Sequence, residues 1–189
     1  MQWSELSKDL QTGDVILFHQ DGLISKLIEL FTESHFSHVG MVVREDDGSL
    51  NLWQSFEPAG GVVTENLLEF LQKYTKTYKG VYIDARHLNF TRTPNFWAPL
   101  TAFVKEMTGR PFPTAWGMVK HFIEGKLGID SGQETFFCSD LVADTYMQVG
   151  LLPKSPPPNF YAPKNFSANR DMDLELGATF SEHIRVELP

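Results

Sequence analysis

Ser37-His38-Val39-Gly40-Met41-Val42-Val43-Arg44, closed by Asp46-Asp47-Gly48 and resumed from Leu50 to Phe56, is the stretch that decides the fold. The first run is rich in strand-forming residues, the turn cluster stops it, and the second run is extended again, which reads as a β-hairpin. Side chains alternate along a strand, so His38, Gly40 and Val42 share one face of the first run. On the returning strand Leu50, Leu52, Gln54 and Phe56 share a face. One polar residue on each strand, His38 and Gln54, thus sits among apolar neighbours, where a polar group needs a partner.

Outward from the hairpin, Asp14-Val15-Ile16-Leu17-Phe18 follows the turn Thr12-Gly13 and reads as a buried strand. Leu23, Ile24, Leu27, Ile28, Leu30 and Phe31 recur at helical spacing, so an amphipathic helix is expected from Leu23 to Phe31, ending near Ser34. Thr64 is placed to cap a helix carrying Leu67, Leu68 and Leu71, and Gly80 to Arg86 reads as another strand. Thr93-Pro94 opens a helix with a stripe of Phe96, Trp97, Leu100, Phe103, Val104 and Met107 that stops at Gly109, its first turns bent by Pro99. Arg110 to Gly132 is mixed: Ala115 to Ile123 suits a helix, but the surrounding Pro and Gly suit a loop or lid. Cys138 to Gly150 is strongly helical, with Leu141, Val142, Thr145, Tyr146 and Val149 on one face. Five prolines between Pro153 and Pro163 predict an extended wrap, followed by a short strand at Ile184 to Val186. With no internal repeat, a single domain over residues 1–189 is expected.

The 189 residues carry 24 acidic against 16 basic side chains and are 42% hydrophobic, which suits a globular core and excludes a disordered chain. A net charge of −8 without a basic cluster argues against nucleic acid as a partner. The single cysteine allows neither an internal disulfide nor a Cys-rich zinc site, so a cytoplasmic location is expected. The N-terminus has neither a basic start nor an apolar stretch, and no run reaches the ~18 apolar residues of a membrane span, so no integral membrane segment is expected. No cofactor is called for.

Cys138 begins its helix, where backbone N–H groups and the positive helix end favour a thiolate, the nucleophilic form. The alternative is an inert, buried Cys acting as a small hydrophobe. His38 is a candidate general base, or else a core histidine satisfied by a carbonyl. Gln54, on the partner strand, is placed to hold one ring nitrogen and fix the tautomer. His35 and His38, with Glu33 nearby, also form a His-x-x-His spacing that a metal-dependent hydrolase would use. On a strand that offset sends the rings to opposite faces, which argues against a metal. His19, His87, His121 and His183 read as surface or structural residues.

Four segments together carry a specific pattern: Thr12-Gly13-Asp14-Val15-Ile16-Leu17-Phe18, Phe36-Ser37-His38-Val39-Gly40, Phe137-Cys138-Ser139-Asp140-Leu141-Val142 and Gly150-Leu151-Leu152. They resemble the YiiX/YaeF-like group of permuted papain-like hydrolases, in the NlpC-type cysteine peptidase superfamily and related to lecithin retinol acyltransferase. The resemblance covers residues around 12–70 and 104–152 and has histidine before cysteine, the order of the permuted group. It implies an α+β fold, a small antiparallel sheet or half-barrel packed against helices that include the nucleophile's. It also implies Cys138 as nucleophile, His38 as base and Gln54 as the third polar residue.

Gln54 departs from the Glu that relatives carry there; an amide orients imidazole but does not stabilise imidazolium by charge. Glu57 would substitute only if the strand bulged. Asp140 matches an acidic position, where its expected role is to meet the helix dipole. The activity implied is acyl transfer through a Cys138 thioester: an amidase, peptidase, lipid acyl hydrolase or acyltransferase acting on a small peptide-like or acyl substrate. Phe36, Trp53 and Phe112, with Trp97 and Trp116, flank these segments and suit an apolar substrate group. The rival is a non-catalytic module binding an amino acid, peptide or acyl ligand in the same cleft.

Overall fold

A computed structural model describes residues 1–19, 36–132, 134–167 and 172–189. The helix expected at Leu23–Phe31, with Glu33 and His35, lies outside the described residues, as do the side chains of Phe96 and Trp116. The elements are α1 (Trp3–Asp9), β1 (Val15–His19), β2 (His38–Arg44), β3 (Leu50–Phe56), β4 (Gly61–Asn66), α2 (Leu67–Thr77), β5 (Tyr82–Arg86), β6 (Leu88–Asn89), α3 (Pro94–Met107), α4 (Ala115–Lys126), α5 (Cys138–Gln148), β7 (Thr179–Phe180) and β8 (Ile184–Arg185).

An antiparallel sheet runs in the order β4-β3-β2-β1-β5-β8, and β6 and β7 form a separate ribbon. Alternation divides each central strand between two cores. Val15, Leu17, Val39, Met41 and Trp53 face α5 and α3, packing against Leu141, Val142, Tyr146, Leu100 and Phe103. Ile16, Phe18, Val42 and Leu52 face α2 and α1, packing against Phe70, Leu71, Tyr74, Leu6 and Leu10. Burial on both sides is why residues 15–18 read as one unbroken apolar run.

Two expectations are corrected, and the mixed reading of residues 110–132 resolves in favour of its helix. Thr64 is not a helix cap: it sits in β4, paired with Trp53, and Asn66 caps α2 by accepting from the Glu69 N–H. The ladder with β3 keeps the chain extended through residue 66, two residues beyond the expected start. Residues 110–132 contain a full helix, α4, capped by Thr114 accepting from Gly117 N–H. The proline-rich segment is not simply extended, since it makes 3-10 turns at Pro158–Phe160 and Pro163–Phe166, each with proline in its first turn. Among the described residues no helix is long and apolar enough to cross a membrane.

Candidate active site

The site lies where β2 and β3 part. The β2–β1 ladder reaches His38, paired with Phe18, but the β2–β3 ladder begins only at Met41–Trp53. Val42 donates its N–H to Asp14 on the β1 side, so the alternate N–H of Val39 points toward β3, past the end of that ladder. The start of α5 fills the gap. Ser55 of β3 donates its hydroxyl to the carbonyl of Phe136 at 2.6 Å, and the Cys138 sulfur accepts from the Val39 N–H. The thiol thus touches the residue next to His38.

His38 approaches from the other face, with its ring 5.2 Å from that of Phe18 and 5.4 Å from that of Phe56. Its Nε2 lies 2.7 Å from Gln54 Oε1. An amide oxygen only accepts, so Nε2 carries the proton and Nδ1 is left with its lone pair. Gln54 in turn donates through its amide nitrogen to Glu65 Oε2 on β4, at 3.4 Å. Gly40 makes room for this packing, since a Cβ there would stand 2.7 Å from Leu52 Cδ1 and 3.4 Å from Gln54 Cβ. On α2, Tyr74 hydrogen-bonds the Ser37 side chain and packs 4.9 Å from Phe18, bracing the start of β2.

Burial dominates the electrostatics. His38 and Cys138 are 7% and 8% exposed and Gln54 fully buried. Desolvation lowers His38 to about 4 against the opposing pull of Gln54. It pushes the Cys138 thiol up to about 12, although the N–H groups of Val39, Ser139 and Cys138 oppose it. Burial thus opposes the thiolate expected from the helix N-terminus and favours the neutral forms of both the thiol and the imidazole. Asp140 accepts from the Leu141 N–H in the first turn of α5, and burial raises its carboxyl to about 6.

The structure brings Cys138, His38 and Gln54 to one end of the sheet. It does not make a substrate wall of Trp53, which is wholly buried and edge-on to Phe103, nor of Phe36, which is buried and stacked on His183. Both are core because β3 and the approach to β2 point them inward. Half-buried Phe112 is nearer the chemistry, edge-on at 5.6 Å to Phe137, the residue before Cys138. Trp97 lies over Gly13. Glu57 is exposed in the turn after β3.

Sequence reasoning missed Glu65, because residues 61–66 were read as the approach to a helix. Once they are a strand, alternation puts Glu65 diagonal to Gln54 on the same face, since Leu52 pairs with Glu65 and Gln54 with Val63. It also read His87, His121 and His183 as surface or structural residues, and folding places each near a particular carboxylate. His87 binds Asp14 at 2.8 Å, His183 binds Asp84 at 3.0 Å, and His121 stands 3.9 Å from Asp140.

No family model and no curated protein matches the chain. Among solved structures it is similar to YiiX from Escherichia coli O157:H7, with a TM-score of 0.54 and 21% identity. The fold is YiiX-like. The match covers 74% of this chain and 66%, just under two thirds, of that one. YiiX is described as a metalloprotein. In this YiiX-like chain no three His, Cys, Asp or Glu side chains among the described residues are grouped to hold a metal, and His38 Nε2 is already committed to Gln54. The described donor set does not fit a metal centre.

Proposed function

We propose that the chain is a thiol hydrolase with a permuted papain-like arrangement, cleaving an amide or ester bond through a thioester on Cys138. One observation carries the reading. The Cys138 sulfur accepts from the N–H of Val39, next to a His38 whose ring is held by Gln54 with Nδ1 bare.

With both groups neutral at rest, the proton moves as the bond forms. Sγ attacks the carbonyl carbon, His38 Nδ1 takes the thiol proton, and the carbonyl oxygen becomes an oxyanion facing the Cys138 N–H. The carbonyl re-forms as the C–N or C–O bond breaks, and imidazolium gives its proton to the leaving group. Water then attacks the thioester with His38 again as base, regenerating the thiol. A second acceptor in place of water makes the same site an acyltransferase.

Hydrolysis of p-nitrophenyl acetate by the wild type, Cys138→Ala and His38→Ala tests this. Turnover with a trapped acyl-protein is expected only in the wild type; equal rates in all three overturn it. The raised thiol supports a second reading, a cleft that binds an amide or acyl ligand without cleaving it. A ligand whose affinity survives Cys138→Ala, with no turnover in the wild type, would favour that reading.

A further inference from the structure

Gln54 can present either end of its amide to His38, and the two orientations have opposite consequences. With Oε1 toward the ring, Nε2 is protonated and Nδ1 is a base. With the NH2 group toward the ring, Nε2 must accept, the proton moves to Nδ1, and Nδ1 can no longer act as a base. The amide is fully buried and its two ends have nearly the same shape, so packing does not choose between them.

Glu65 does. Its Oε2 lies 3.4 Å from Gln54 Nε2, and a carboxylate only accepts. A flipped amide would set a carbonyl oxygen against carboxylate oxygen. We infer that Glu65 is a positioning residue: its carboxylate orients the Gln54 amide, the amide fixes the Nε2–H tautomer of His38, and Nδ1 keeps the lone pair that a base needs. Its catalytic consequence rests on the thiol hydrolase reading; the tautomer itself does not. The same chain of hydrogen bonds places a negative charge one amide away from the imidazole. The chain thus has Gln54 beside the ring and Glu65 behind it. A carboxylate directly on the ring would be fully buried.

The test uses protein labelled with 15N-histidine, with the His38 signals assigned by their loss in His38→Gln. In the wild type the proton is expected on Nε2. In Glu65→Gln the new amide can donate or accept, so both orientations of Gln54 are allowed and a second population protonated on Nδ1 should appear. Loss of one charge-assisted hydrogen bond predicts a fall in kcat of about tenfold on p-nitrophenyl acetate with KM little changed. The exchange variant Gln54→Glu with Glu65→Gln restores an acceptor toward the ring and a donor behind it, so it should recover the Nε2–H state that Glu65→Gln perturbs. An unchanged tautomer in Glu65→Gln overturns the inference, as does an exchange variant that keeps the Nδ1-protonated population of Glu65→Gln. Should Cys138→Ala hydrolyse the ester as fast as wild type, the enzyme reading fails, and the tautomer populations still decide the role of Glu65.

Discussion

Between about pH 4 and pH 6.5, His38 and Asp140 tilt the stability of this fold in opposite directions. Burial pulls His38 from 6.5 to about 4, so in that window the unfolded chain binds a proton that the native chain refuses. Stability is therefore lost as pH falls, and at about 1.36 kcal/mol per pH unit the loss is about 3 kcal/mol. Burial pushes Asp140 the other way, from 3.8 to about 6, so the native chain keeps a proton that the unfolded chain releases. Here stability is lost as pH rises, again by about 3 kcal/mol. The two slopes offset each other in the wild type and separate in variants. Relative to wild type, Asp140→Asn should gain about 3 kcal/mol between pH 4 and pH 6 and then level off. His38→Asn should gain about 3 kcal/mol as pH falls from 6.5 to 4, on top of a pH-independent loss from breaking the Gln54 bond. Urea unfolding at half-unit pH intervals measures both differences. Difference curves that stay flat, or that tilt the opposite way, would refute burial as the source of these shifts.

Ester hydrolysis should fall as pH drops through about 4, where His38 gains a proton, and hold steady through neutrality; an acid limb centred near 6.5 would show an unburied imidazole. Iodoacetamide should alkylate Cys138 slowly at pH 7 with an inflection well above 9 in the folded protein, and a midpoint below 7 would restore the thiolate. Gly40→Ala puts a methyl 2.7 Å from Leu52 Cδ1, and calorimetry should find about 1–3 kcal/mol of destabilisation, whereas a neutral effect would mean Leu52 yields freely. Asn66→Ala should cost about 1 kcal/mol as the lost cap of α2 while exposed Thr64→Ala stays within about 0.5 kcal/mol; the reverse ranking would return the cap to Thr64.

The hairpin and β1 were legible because strand periodicity is a local property, and it placed His38 and Gln54 on facing strands before any contact was known. β4 was not, since Gly61-Val62-Val63-Thr64-Glu65-Asn66 contains two good capping residues and only two large apolar ones; its strand character comes from the β3 ladder. α1 was missed for a similar reason. It has seven residues and buries only Leu6, and it is held by Trp3 donating to Glu187 from the far end of the chain. The His87–Asp14 and His183–Asp84 pairs join residues 73 and 99 positions apart, a separation over which no spacing rule operates.

The charge state of the site was illegible for a deeper reason. A helix N-terminus beside a cysteine is visible in sequence and favours thiolate by a small, local amount. Desolvation depends on everything packed around the sulfur, here the seam between β2 and β3 and the start of α5, and it is the larger effect. The same seam explains why an amide suits position 54. A carboxylate at position 54 would be a fully buried charge facing an imidazole that burial keeps neutral, with its partner charge missing at rest. Gln54 removes that charge from the core, and Glu65 carries it at the half-buried edge strand, where hydration lowers its cost.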